Sequence, residues 1–344
     1  MAHAVEQEAS DLILTVEVPP VIRLHGELLR LPGARLSPHD TQAMTVRIMT
    51  DYQRDRVESE GQVDFAYSLT GVGRFRVNVF RQRGSYAAAL RIIPPAIRSL
   101  AELNMPTVLA DLSRHRRGLV LVTGTTGCGK TSTLAAMIDL INAERACHIV
   151  TLEDPIEYLH RHNQAVVNQR EVGYDTTSFA AGLRAALRES PDVILVGEMR
   201  DQETIATALT AAETGHLVFG TLHTGDAPQT VDRIVSVFPP HQQEQIRIQL
   251  ASTLQGVVTQ ELVPRCDVKG RIPAVEVLIG TTAVRNLVRE GKTHQLPSAI
   301  QTGGRSGMRS FDSSLRELVA RGAIKEQEAT ARNRAYSIVE GGFS

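Results

Sequence analysis

The chain has 344 residues, enough for about two domains at roughly 150 residues each. Hydrophobic residues make up 42% and charged residues 22%, a globular and not a disordered composition. The formal charge of −1 excludes capture of nucleic acid or anionic membrane by bulk charge, and 4% aromatics without tryptophan argue against base-stacking or sugar-binding platforms.

Taken in chain order, residues from about 10 to 95 read as an α+β unit. Asp11–Val18 is expected as a strand ending at Pro19-Pro20, and Val21–Leu31 as a hairpin turning at Gly26. Thr41–Met49 and the charged stretch after it have helical patterns. Val63–Leu69 and Arg74–Phe80 alternate with period two, separated by Gly71 and Gly73. Pro94-Pro95 is expected to close this unit, which gives a first domain over 1–97 and a helical linker over 98–117. From residue 118 to 344 the pattern changes. Gly118–Thr123, His148–Leu152, Val193–Val196 and Leu217–Leu222 read as buried strands. Helices are expected over Lys130–Asn142, Phe179–Arg188 and Asp201–Glu213. Alternation of this kind implies a mostly parallel sheet covered on both faces. Beyond Asp226 helices are expected to dominate, with one short β segment at Ala274–Leu278, a loop at Gly303–Ser310 and a final helix, Asp312–Arg321.

Three cysteines, Cys128, Cys147 and Cys266, lie far apart without a CxxC pair, so neither a zinc ribbon nor a disulfide framework is expected, and a reducing cytoplasm fits. No signal peptide is expected, because Glu17, Pro19 and Pro20 interrupt the apolar stretch Leu12–Ile22. No apolar run approaches the roughly 18 residues of a membrane span, so no direct membrane insertion is expected.

The chemistry is concentrated in short segments. Gly124-Thr125-Thr126-Gly127-Cys128-Gly129-Lys130-Thr131 fits GxxxxGK[ST] between a strand and a helix, the phosphate-binding loop of nucleoside triphosphatases. Its glycines let backbone N–H groups turn inward around an anion, and the helix start adds partial positive charge. Lys130 reaches the β- and γ-phosphates, Thr131 places a hydroxyl on Mg²⁺, and Ser132 follows in the first turn. Cys128 reads as a small loop residue and not a nucleophile. Ser190-Pro-Asp-Val-Ile-Leu-Val-Gly-Glu198 is an apolar strand ending in a carboxylate suited to Mg²⁺ and its waters. A second acidic run, Glu153-Asp154-Pro155-Ile156-Glu157, also follows a strand. Ligands in open α/β sheets sit at the carboxyl ends of strands, so these elements are expected to converge on one crevice.

His216 and His223 bracket Leu217–Leu222. Seven extended residues hold them about 23 Å apart, too far to share a metal. His223, at the strand's C-terminal end, can sense the γ-phosphate, whereas His216 suits a structural or subunit-contact role. In Arg74-Phe-Arg-Val-Asn-Val-Phe-Arg-Gln-Arg83, alternation puts Arg74, Arg76 and Asn78 on one face and Phe75, Val77 and Val79 on the other. The plain reading is a solvated sheet face. The sharper reading makes at least one arginine here, with Arg76 and Arg91 preferred, a finger reaching a neighbouring subunit's nucleotide.

Together these residues resemble the secretion-superfamily ATPases, most closely the PilT-type pilus-retraction (twitching-motility) branch. Ala9-Ser-Asp-Leu12 and Pro19-Pro-Val-Ile-Arg-Leu-His-Gly26 look like the start of that family's PAS-like N-terminal domain. Thr151–Glu157 looks like its Asp box and Thr214–Thr224 like its His box. Ala283-Val-Arg-Asn-Leu-Val-Arg-Glu290 is similar to its AIRNLIRE retraction motif, with valine at both isoleucine positions. Thr-Thr-Gly-Cys in the loop replaces the usual Pro-Thr-Gly-Ser, and Ile13 stands where the family usually has histidine. The resemblance implies an α/β fold, a RecA-like P-loop core with a smaller α+β PAS-like N-terminal domain. It further implies a cytoplasmic homohexamer that hydrolyses ATP with Mg²⁺ and works on an inner-membrane pilus platform. Glu157 carries over as the water-activating carboxylate and Glu198 as the metal and water ligand, the two roles being exchangeable. Arg76 and Arg91 carry over as contacts made in trans. Pilus-assembly and type II/IV secretion ATPases are the alternative. Those usually carry a longer N-terminal region and a tetracysteine zinc site; neither is expected here, three cysteines being too few for such a site, and this favours retraction. A DNA-translocating ring is disfavoured by the near-neutral charge.

Overall fold

The computed structural model describes residues 1–24, 26–93 and 96–332. The chain divides into two compact units, one of Met1–Ala96 with Pro155–Leu159, the other of Ile97–Asp154 with His160–Ser344. The Pro94-Pro95 pair lies outside the described residues.

The first unit is a six-stranded antiparallel sheet. Its strands are β1 (Asp11–Leu14), β2 (Val21–Leu24), β3 (Glu27–Arg30), β4 (Gln62–Leu69), β5 (Gly73–Gln82) and β6 (Ser85–Ile93), in the spatial order β3-β2-β1-β6-β5-β4. The β2–β3 hairpin turns at Gly26, whose φ of 95° only glycine adopts without strain. The first expected strand is shorter than Asp11–Val18, because Glu17 takes a positive φ ahead of the two prolines. Period two holds along β5, where Phe75, Val77 and Val79 are fully buried. Helices Pro38–Val46 and Asp51–Glu60 each begin with a capping box, Ser37 with Asp40 and Thr50 with Gln53.

The second unit holds a seven-stranded sheet. Its strands are β7 (Gly118–Thr123), β8 (His148–Glu153), β9 (Val166–Glu171), β10 (Val193–Val196), β11 (Leu217–Leu222), β12 (Leu254–Pro264) and β13 (Arg271–Ile279). Their order is β13-β12-β7-β11-β10-β8-β9, all parallel except the β12–β13 hairpin. The central strands are apolar throughout because both faces are covered. Leu119, Leu121, Ile194, Val196, Val218 and Leu222 enter one core layer; Val120, Val122, Val193, Leu195, Leu217 and Phe219 enter the other. Helix Lys130–Glu144 and the short helix Val108–Arg114 pack on the second layer through Leu134, Met137, Ile138, Leu109 and Leu112. Residues 98–117, read from sequence as a linker, therefore contribute to the core of the second unit.

Beyond Asp226 helices predominate among the described residues, as expected, but the β structure there exceeds the one short segment read from sequence. β12 runs for 11 residues and pairs over nine positions with β13, which is itself longer than the expected Ala274–Leu278. β9 is likewise an unforeseen strand at the sheet edge. β12 bulges between Leu254 and Gly256, and the backbone there closes tightly on the far end of β13. A Cβ on Gly280 would lie 2.0 Å from the Leu254 carbonyl oxygen. Neither backbone can retreat without breaking the ladder. Gly280→Ala is therefore expected to destabilise the second unit by about 3 kcal/mol, read as a clear drop in thermal midpoint.

Candidate functional site: a phosphate loop at the strand ends

The site begins where β7 ends. Gly124 follows Thr123 with φ 136°, Gly127 has φ 79° and Gly129 φ 95°, so three residues of the loop occupy backbone space that side chains disfavour. The loop coils so that the Cys128 N–H donates to the Thr125 carbonyl at 3.3 Å, and Gly129 becomes the N-cap of helix Lys130–Glu144. Thr125, Thr126 and Gly127 are exposed, while Gly124 and Cys128 are buried. A helix that starts without a side-chain cap leaves its first N–H groups for an external acceptor.

The Lys130 ammonium folds back over the loop and donates to the carbonyls of Gly124 (2.7 Å) and Thr125 (3.0 Å). Burial pulls its pKa below the usual lysine value, and the nearby Cys128 and Glu198 groups oppose that shift. A multiply charged anion in the loop would offer this cation better acceptors than two neutral carbonyls.

Glu198 is locked by both neighbouring strands. The Gly197 N–H donates to Leu152 O on β8 at 2.8 Å, the Thr221 hydroxyl of β11 donates to Gly197 O, and the Met199 N–H donates to Thr221 O at 3.0 Å. The carboxylate that results is mostly shielded. It meets His223 Nε2 at 3.0 Å and also pairs with the exposed Arg200. β10 and β11 are parallel neighbours with Val196 opposite Gly220, so Glu198 and His223 leave adjacent strands at the same end. The sheet thus brings together the loop, Glu198 and His223, as the strand-end rule requires. His216, at the opposite end of β11, donates through Nδ1 to Ala211 O at 2.9 Å and closes the C-terminus of helix Gln202–Glu213, a structural role.

Glu157 lies in the other unit, with Pro155–Leu159. There Arg74 donates to Ile156 O at 3.0 Å and Arg76 pairs with Glu157 at 3.4 Å. Arg91, directly opposite Arg76 across β5 and β6, pairs with Asp11 at 3.1 Å. Both candidate fingers therefore have carboxylate partners within their own chain. Glu153, at the end of β8, is buried and accepts from Thr151 (2.6 Å) and Gln169 (3.0 Å).

Thr131 and Glu198 supply hard oxygen donors of the type Mg²⁺ takes. That ion needs only one or two protein oxygens beside phosphates and waters. Among the described residues no group of three His, Cys, Asp or Glu forms an all-protein metal cage. The donor set suits a cation brought in with phosphate.

Sequence reading missed Gln260. It sits on β12 just past Thr259, which pairs with Thr123, and its side chain bonds both the loop and the helix behind it. The only sequence signal is a polar run, Thr259-Gln260-Glu261, interrupting an apolar stretch. The segment Ala283–Glu290 forms most of helix Thr282–Arg289. Val284 and Val288, the two positions where valine replaces isoleucine, are fully buried in the core.

The family model described as "Type II/IV secretion system protein" matches residues 1–335. The chain is 49% identical to the type IV pilus retraction ATPase PilT of Pseudomonas aeruginosa over 96% of its own length and 95% of the relative's. It is 49% identical to a twitching motility protein of Neisseria gonorrhoeae over 91% and 84% of the two chains. Among solved structures, the pilus retraction motor PilT with bound ADP superposes with a TM-score of 0.90 at 49% identity, covering 96% of this chain and 95% of that one. No described helix is long and apolar enough to cross a membrane.

Burial pushes the Cys128 thiol above the usual cysteine value, whereas Cys266 is exposed. The thiolate is the reactive form. At pH 8 iodoacetamide is expected to label Cys266 first and Cys128 last, with peptide mass mapping as the measurement.

Proposed function

The chain belongs to the type II/IV secretion system protein family, and on that footing we propose that it is a homohexameric ATPase motor that powers type IV pilus retraction. The observation that supports ATP hydrolysis is the juxtaposition of the Lys130 loop with the Glu198–His223 pair at one end of the sheet. What supports retraction over assembly is the likeness, along almost the whole of both chains, to the retraction ATPase and its ADP-bound structure.

In this reading the loop N–H groups and Lys130 hold the β- and γ-phosphates, Lys130 exchanging its loop carbonyls for phosphate oxygens. Thr131 and Glu198 would hold Mg²⁺, which would supply neutralisation of the phosphate charge. Glu157 accepts the proton of the attacking water, so that ATP and water give ADP and phosphate. For this Glu157 must leave its ion pair with Arg76. The same exchange frees Arg76 to meet negative charge elsewhere, including a neighbouring subunit's nucleotide, with Arg91 beside it. His223, already on Glu198, reports whether a γ-phosphate is present. Repeated closure and opening would be drawn off by an inner-membrane platform to remove pilins, with the motor itself on the cytoplasmic side.

Lys130→Ala is expected to lower steady-state phosphate release by about a hundredfold or more, and chelation of Mg²⁺ to stop it in the unaltered protein. Sustained turnover in Lys130→Ala would remove the site assignment. Deletion of the gene in its source cell is expected to leave excess surface pili and no surface motility, scored by microscopy and spreading assays. Bald cells would support an assembly motor instead.

A further inference from the structure

Gln260 is a neutral side chain, 3% exposed, placed where a parallel strand passes the phosphate loop. Its Nε2 donates to the Cys128 carbonyl at 2.8 Å. Its Oε1 accepts from the Thr133 hydroxyl at 2.9 Å, and Thr133 is itself 2% exposed in the helix that the loop opens. The Cys128 carbonyl, which can only accept, fixes which way the amide faces: the amino end must donate to it, which leaves the carbonyl end to accept from the Thr133 hydroxyl. Two of the three loop glycines, Gly124 and Gly129, close on the same residue. A Cβ on Gly124 would sit 2.3 Å from the Gln260 backbone oxygen, and one on Gly129 3.1 Å from its Nε2.

The consequence follows from the planarity of the peptide between Cys128 and Gly129. In a trans peptide the C=O and N–H point in opposite directions. Drawing the Cys128 carbonyl toward β12 therefore aims the Gly129 N–H away from β12, where an anion in the loop would meet it. Without that restraint the peptide can rotate, and a carbonyl oxygen facing the phosphates would repel them.

We propose that Gln260 is a positioning residue for the phosphates: its amide, anchored at its other end by Thr133, holds the Cys128–Gly129 peptide with the N–H toward the nucleotide. This deepens the ATPase reading and rests on it. It also means that the loop is shaped in part by β12 and not by the GxxxxGK[ST] sequence alone.

The test compares ADP binding and ATP turnover in the full chain for the unaltered protein, Gln260→Leu, Thr133→Val and the double variant. Gln260→Leu is expected to weaken ADP binding about tenfold, the effect of one buried hydrogen bond of about 1.4 kcal/mol, with KM for ATP rising more than kcat falls. Thr133→Val is expected to give a smaller loss of the same kind. The double variant is expected to bind no worse than Gln260→Leu, because the hydroxyl acts only through the amide. Binding by Gln260→Leu within twofold of the unaltered protein overturns the proposal, as do losses that add in the double variant. If Gln260→Leu fails to fold, Thr133→Val carries the test, and unaltered ADP affinity there overturns it. Failure of the unaltered protein to bind ADP at all would instead overturn the ATPase reading.

Discussion

A triphosphate carries several negative charges that water solvates well, and a protein competes only by presenting donors already aimed and already partly desolvated. In this chain that requirement falls on the few residues between the end of β7 and the first turn of helix Lys130–Glu144. Three of them need positive φ, one is a half-buried lysine, and the helix they open has no side-chain cap of its own. Such a loop holds its shape only if its surroundings do. The sheet supplies them: β7 enters from below, β11 and β10 deliver His223 and Glu198 beside it, and β12 braces its outer side through Gln260. The parallel register of these strands determines whether the chemistry of the site can exist.

How much of this the sequence reveals depends on how each strand is buried. β7, β10 and β11 are covered on both faces, so they read as unbroken apolar runs and their limits are legible to the residue. β9 lies at the edge and reads Val-Val-Asn-Gln-Arg-Glu, with little to mark it as sheet. β12 escapes for a different reason. It follows directly on helix Pro240–Thr253 without a turn signal, and its polar residues Thr259, Gln260 and Glu261 bond the end of β7, the loop and helix Glu326–Arg332. The segment that braces the site is thus the one whose composition hides it.

The residues of the site divide in the same way. Lys130, Thr131 and the glycines stand in a fixed local spacing and are legible from sequence alone. Glu198 and His223 are legible because each ends an apolar strand, and the sheet brings them within 3.0 Å. The self-pairing of Arg76 with Glu157 was not legible, because it depends on a segment 81 residues away in the chain folding back with the N-terminal sheet. In the segment Ala283–Glu290 the pattern explains itself once the helix is seen. Both valines face the core four residues apart, so a shorter β-branched side chain changes volume there and leaves polarity unchanged.

The central claim is that phosphates nest at the start of helix Lys130–Glu144, with the carboxylate of Glu198 closing over them. A crystal structure of the full chain with Mg²⁺ and a non-hydrolysable ATP analogue tests it directly. The account predicts the β- and γ-phosphates within hydrogen-bonding distance of Lys130 Nζ and the loop N–H groups, with Glu198 and His223 facing the terminal phosphate. A nucleotide bound elsewhere, or one whose terminal phosphate leaves Glu198 and His223 remote, would contradict it.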